Sequence, residues 1–159
     1  MKGVKLACNG ILAVVIVASF AVRTYAQEKS WTKPLFIPSQ KVESFYKKPL
    51  PIPDLTDGVS GVAKYRLRAS RHSGPDVAEV HMLDTNIFYV TSGEATLVVG
   101  GKVLGLHEVA PFEWRGTGIE GGTTYLLKKG DIMIVPRGVP LWFKNIPKAP
   151  FLFILVKVQ

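Results

Sequence analysis

Beyond residue 60 the chain alternates apolar and polar positions with a period of two. In "VAKYRLRAS" (62–70), Ala63, Tyr65, Leu67 and Ala69 alternate with Lys64, Arg66, Arg68 and Ser70, the pattern of a strand with one dry and one wet face. On this reading the basic stripe, with Arg71 beyond it, is the solvated outer side. "VAEVHML" (77–83) and "NIFYVTSG" (86–93) continue the rhythm. "EATLVVGGKVLGL" (94–106) reads as a hairpin turning at Gly100–Gly101, and "TTYLLKKGDIMIVP" (123–136) as a second one around Lys129–Gly130. "PLWFKN" and "FLFILVKV" close the chain as two further strands. No stretch past residue 26 combines a helical period with caps. About seven to ten short strands separated by Gly and Pro turns predict an all-β sandwich or barrel.

The first 60 residues follow other rules. Lys2 and Lys5 precede the apolar run "LACNGILAVVIVASFAV" (6–22), and "RTYA" ends on a small residue before "QEKS". That order is a secretory signal over 1–26 with cleavage after Ala26, which implies a secreted or periplasmic protein without stable membrane insertion once cut. The competing reading is a retained anchor, for which the run is short and broken by Asn9 and Gly10. Residues 27–60 hold Pro34, Pro38, Pro49, Pro51 and Pro53. This spacing predicts an extended arm with strand pieces such as "PLFIP", lying across the barrel of 61–159 or across a partner subunit. Cys8 is the single cysteine of the 159 residues, so the 133 left after cleavage carry no disulfide and no thiolate chemistry. Cleavage also removes Lys2, Lys5 and Arg23, which lowers the net charge from +8 to +5, 17 basic against 12 acidic residues.

One constellation carries more information than the rhythm. "GDIMIVPRGVPLWFKN" (130–145) keeps Gly130, Pro136, Gly138 and Asn145 at fixed spacing, and "EVHMLDTNIFYVTSG" (79–93) holds Glu79, His81, Asn86 and Gly93. Together they resemble the two-motif signature of the cupin superfamily, whose small double-stranded β-helix, or jelly-roll, barrels carry a central pocket. Every spacing of the second motif is kept, with Leu141 where that family has a histidine. The resemblance implies a single cupin barrel, a homodimer, and a site holding Mn, Fe, Ni or Zn on three histidines and one carboxylate. Here the corresponding positions supply Glu79, His81 and Asn86, while Leu141 supplies no donor. A catalytic metal wants at least three good protein donors, so the set weighs against one. His107, in "KVLGLHEV", is the one histidine that could complete it; a surface-strand histidine is the plainer reading.

The same residues support a metal-free reading. Alternate residues of a strand share a face, so Glu79 and His81 both enter the interior while Val80 and Met82 pack outward. A paired, partly desolvated Glu and His can move protons, and they are the candidate catalytic pair. Asn86, Phe88, Val90, Leu141 and Phe143 would wall a pocket for a small organic ligand, with Trp142 on its rim. Arg115, in a long loop "PFEWRGTGIEGG" (111–122), would reach an anionic group. The first functional expectation is therefore a small-molecule-binding cupin. The alternative is a metal-dependent dioxygenase, isomerase or lyase with an atypical Glu79/His81/Asn86 set, and a third reading is a non-catalytic sensing or structural partner. A Glu79–His81 pair that only holds strands together competes with all of these.

Other patterns fall away. "GTGIEG" (116–121) matches a dinucleotide fingerprint but opens no helix. The basic stripe lacks aromatic interleaving and a groove-reading helix, which argues against nucleic acid. His72 lies in the loop "RHSGP", and no Ser–His–Asp order stands out.

Overall fold

The computed structural model describes residues 35–49, 53–56 and 65–159. The expected signal segment 1–26 and residues 27–34, 50–52 and 57–64 lie outside those residues.

The barrel is all-β, as the alternation predicts, and its spine is a long terminal strand. In chain order the strands are β1 (Tyr65–His72), β2 (Ala78–His81), β3 (Thr85–Val99), β4 (Lys102–Leu104), β5 (His107–Ala110), β6 (Glu113–Gly116), β7 (Gly118–Glu120), β8 (Thr123–Lys128), β9 (Ile132–Val135) and β10 (Leu141–Val158). "PLWFKN" and "FLFILVKV" are thus one strand, interrupted by register shifts between Phe143 and Leu152. β10 pairs antiparallel with β1 over its last eight residues and with β3 along its whole length, and it meets β2 at Leu141↔Glu79. β2 pairs β6, and β6 pairs β5.

Both expected hairpins are replaced by other pairings. Gly100 and Gly101 do turn the chain with positive φ, but β4 pairs β7 rather than β3. The reason is occupancy: Leu97–Val99 of β3 already bonds β10 on one edge and β8 on the other. Around Lys129–Gly130 the chain does not fold back on itself. β8 and β9 follow one another along a single edge of β3, and Gly130 N and Asp131 O bond Val90 in the gap between them.

The arm contains the one helix of the described residues, α1 (Ser39–Tyr46), where the sequence reading gave none. It fits the proline-free interval between Pro38 and Pro49. Pro38 caps it, a place where a fixed φ of −66° and a missing N–H cost nothing. Residues 35–38 of "PLFIP" form no strand. α1 packs on its own barrel: Phe45, Leu55 and Ala69 are buried together, flanked by Val42, Tyr46, Leu67 and Ile154. The Tyr46 hydroxyl meets Thr91 Oγ1 at 3.1 Å, and Arg71 donates to the Tyr46 carbonyl at 3.0 Å.

The main core fills the space between β3, β8, β9 and β10 and centres on Phe88, Leu97, Val135, Phe143, Phe151 and Phe153. Val90 belongs to this core, fully buried, and not to a pocket wall. Gly93 marks the tightest approach. At its φ of +79°, an added Cβ would lie 2.4 Å from the Pro150 carbonyl oxygen, which only glycine avoids. Among the described residues no helix is long and apolar enough to cross a membrane.

Candidate functional site

Cross-strand partners in an antiparallel sheet point to the same face, so the register alone assembles the site. Arg66 pairs Lys157, and Lys157 pairs Asn86. One step along, Arg68 pairs Leu155 and Leu155 pairs Phe88. On the other side Leu141 pairs Glu79, Glu79 pairs Arg115, and His81 pairs Glu113. All of these side chains line one cavity of about 610 Å³, together with Ser70, Arg71, His72, Asp76, Phe143 and Phe153. Of the residues expected there, Glu79, His81, Asn86, Phe88, Arg115, Leu141 and Phe143 are brought together.

Several expectations are corrected. Trp142 does not reach the rim: as the neighbour of Leu141 it faces the opposite side, packs near Ala78, Val80 and Val103, and donates Nε1 to the Asp76 carbonyl at 2.8 Å. Val80 is covered by that same small layer, whereas Met82 is exposed. Arg66 and Arg68 are not a solvated outer stripe. The period was right and the face was inverted, because α1 covers the Leu67–Ala69 side and turns the arginine side toward the cavity. His72 ends β1 instead of lying in an open loop, and its ring stacks on Phe153 at 5.4 Å and lies 4.8 Å from Phe143. Burial in that aromatic setting lowers its pKa, partly offset by Asp76. Residues 111–122 are not a loop, since they contain β6 and β7. His107 is exposed, with Nδ1 2.9 Å from the Gly105 carbonyl, and cannot complete the site.

Asp76, Asp84, Glu113 and Lys157 were missed altogether. Glu113 was hidden by the loop assignment; as a β6 residue it shares a face with Arg115. Lys157 is the lone charge on the inward positions 151, 153, 155 and 157 of "FLFILVKV", and that alternation was the available signal. Its side chain is only 7% exposed.

The polar groups form one network. His81 Nδ1 is hydrogen-bonded to Glu113 Oε2, and His81 Nε2 lies 3.5 Å from Glu79 Oε2. Lys157 Nζ stands 3.1 Å from His81 Nδ1, 3.4 Å from Asp84 Oδ2 and 3.7 Å from Glu113 Oε1. Arg66 bonds Asp84 at 2.6 Å, and Arg115 approaches Glu79 at 3.3 Å. Burial alone would raise the carboxyl of Asp84, but Lys157 and Arg66 outweigh it and hold the group below the ordinary aspartate value. Glu79 is likewise lowered: burial opposes ionisation, and His81, Arg115 and Lys157 together prevail. Burial lowers Lys157, with Glu113 and Asp84 pulling it back only in part.

This donor set does not fit a divalent metal. Leu141 offers no ligand, Asn86 offers a neutral amide, His81 is engaged by Glu113, and an ammonium stands among the remaining carboxylates. Among the described residues no three His, Cys, Asp or Glu side chains are arranged to hold an ion. What the arrangement does offer is an imidazole between two carboxylates and one unused acceptor. Asn86 Oδ1 is buried and finds no hydrogen-bond partner among the described residues.

The Cupin family model matches residues 60–159, most of the chain and every strand of the barrel. The chain belongs to the cupin family, and the fold agrees. It superposes on protein NMB1881 from Neisseria meningitidis with a TM-score of 0.52 at 9% identity, covering 79% of this chain and 100% of that one. A conserved protein with a double-stranded β-helix domain from Klebsiella pneumoniae gives 0.47 at 20% identity, covering 79% and 90%. Hydroquinone 1,2-dioxygenase from Sphingomonas sp. TTNP3 gives 0.45 at 14% identity, covering 60% of this chain, which spans only 59% of that enzyme. No curated protein sequence matches the chain.

Proposed function

We propose that this cupin binds a small organic ligand inside the barrel without a metal. The observation that carries the reading is the composition of the 610 Å³ cavity, which joins an aromatic and aliphatic wall (Phe88, Leu141, Phe143, Phe153, Leu155) to a compact polar end. That division suits a molecule with an apolar body and one or two polar groups. The unpartnered Asn86 oxygen calls for a hydroxyl or N–H on the ligand, since a buried acceptor left unsatisfied costs about 1–3 kcal/mol. His81, held between Glu79 and Glu113, is the side chain that would carry a proton to or from such a ligand.

The reading includes export, on the strength of the apolar leader at 6–22, and a homodimer. An outward ladder of apolar pairs on β3 and β9, Tyr89 with Ile132 and Ile87 with Ile134, supports the second point; Ile132 and Ile134 are 65% and 58% exposed.

Native mass spectrometry of the purified protein tests the ligand. A retained small molecule is expected in the wild type and absent from Leu141→Trp, which fills the cavity between the apolar wall and Glu79. Retention that survives this substitution in a folded variant would contradict the site. Stoichiometric Mn, Fe, Ni or Zn in the purified wild type would favour the metal-dependent enzyme instead.

A further inference from the structure

We propose that Lys157 is the resident cation of the barrel: its ammonium stands beside the motif histidine His81, and it excludes a metal from that point. Three observations carry this. The β1–β10–β3 register puts Lys157 directly between Arg66 and Asn86, on the inward face. Its nitrogen then sits within 3.1–3.7 Å of His81, Asp84 and Glu113, and fills the space between them. Finally, the network closes on itself in charge. Glu79, Asp84 and Glu113 face Lys157, Arg66 and Arg115, three carboxylates against three fixed cations.

A divalent ion entering this point would meet a like charge that cannot move away. Lys157 lies on a central strand with partners on both edges, and its side chain is nearly fully buried. The ion would also lack a fourth donor at Leu141. Either change alone weakens the site, and the two act on the same space, so their effects are coupled and not additive. Lys157 thus neutralises its neighbours and keeps the cavity open to an organic molecule, a role a hydrated ion would obstruct. The inference rests on the metal-free reading above; metal in the wild type would overturn both, whereas a folded Lys157→Met that gains nothing overturns this one alone.

The test is a double-mutant cycle on the purified, chelator-treated protein, with Zn²⁺ and Mn²⁺ titrated by calorimetry and bound metal counted by elemental analysis. Wild type and Leu141→His are expected to take up no stoichiometric metal, because the ammonium remains. Lys157→Met removes the ammonium beside Asp84, Glu113 and His81 and should gain affinity about a hundredfold; the double variant should gain more than both single changes together. Should Lys157→Met fail to fold, Leu141→His still decides the matter, since it keeps every charge. Tight, stoichiometric metal in Leu141→His or in the wild type would overturn the proposal. So would a folded Lys157→Met that gains nothing.

Discussion

Asp84→Asn is the most informative single change in the molecule. Asp84 is almost completely buried, and its Oδ2 faces Arg66 at 2.6 Å and Lys157 at 3.4 Å. The amide keeps an oxygen for one of them but removes the carboxylate that both share, leaving Lys157 only the more distant Glu113 at 3.7 Å. Leaving an unpaired charge in the interior costs about 3–5 kcal/mol when the survivor is fully buried. Lys157 approaches that limit at 7% exposure, whereas the Arg66 side chain is 40% exposed and can turn to water. The loss should therefore fall near 2–4 kcal/mol, or a drop in melting temperature on the order of 10 °C for a domain of this size. Urea unfolding followed by the fluorescence of Trp114 and Trp142 measures it, with the loss read from the midpoint at constant slope. Asp54→Asn is the control: it removes a carboxylate 2.7 Å from Arg68, a side chain 37% exposed, and should cost less than about 1 kcal/mol. Equal losses for the two variants, or a loss below about 1 kcal/mol for Asp84→Asn, would refute the claim that Asp84 anchors a buried network.

The same carboxylates set the acid response. Asp84 and Glu79 have folded pKa values below their unfolded ones, so their stabilisation is complete above the ordinary carboxylate range and is lost as pH falls through the folded values. His72, lowered by burial, adds a loss of the same sign that begins just below the ordinary histidine range, because the unfolded chain takes up that proton first. Melting temperature should thus fall steadily on acidification, with the earliest step missing in His72→Phe. Gly93→Ala should cost about 2–4 kcal/mol or prevent folding, given its positive φ and the carbonyls that an added Cβ would strike; unchanged stability would show a different turn. Phe143→Ala removes a ring in contact with Phe88, Phe151, Phe153 and His72, and should cost about 3–5 kcal/mol while enlarging the cavity. Replacing Ile132 and Ile134 together by Asp should yield a folded monomer in sedimentation if the β3–β9 face joins two copies; an unchanged mass would contradict pairing through this face.

The alternation of residues and the paired motifs were enough to read the barrel and the positions of Glu79, His81, Asn86 and Leu141. Those are local facts, since a strand's period and a turn's glycine are written in neighbouring residues. Which face of β1 looks inward was not local. The Leu67–Ala69 side and the arginine side are equally regular, and only the helix at 39–46, itself inside a proline-rich segment, decides between them. Pairing partners were similarly hidden, because Gly100–Gly101 has the chemistry of a hairpin while the free edge it needs is taken by β8 and β10. Glu113 and Lys157 were overlooked for that reason: each enters the site through a strand partner distant in sequence.

The eight residues of β1 are a single plank with α1 docked on its back and Arg66, Arg68 and His72 on its front. Side chains on opposite faces of one strand cannot shift independently. Prising the amphipathic segment off the plank would tilt the guanidinium groups as well, so the exterior packing of the arm and the charge lining the interior are mechanically one part.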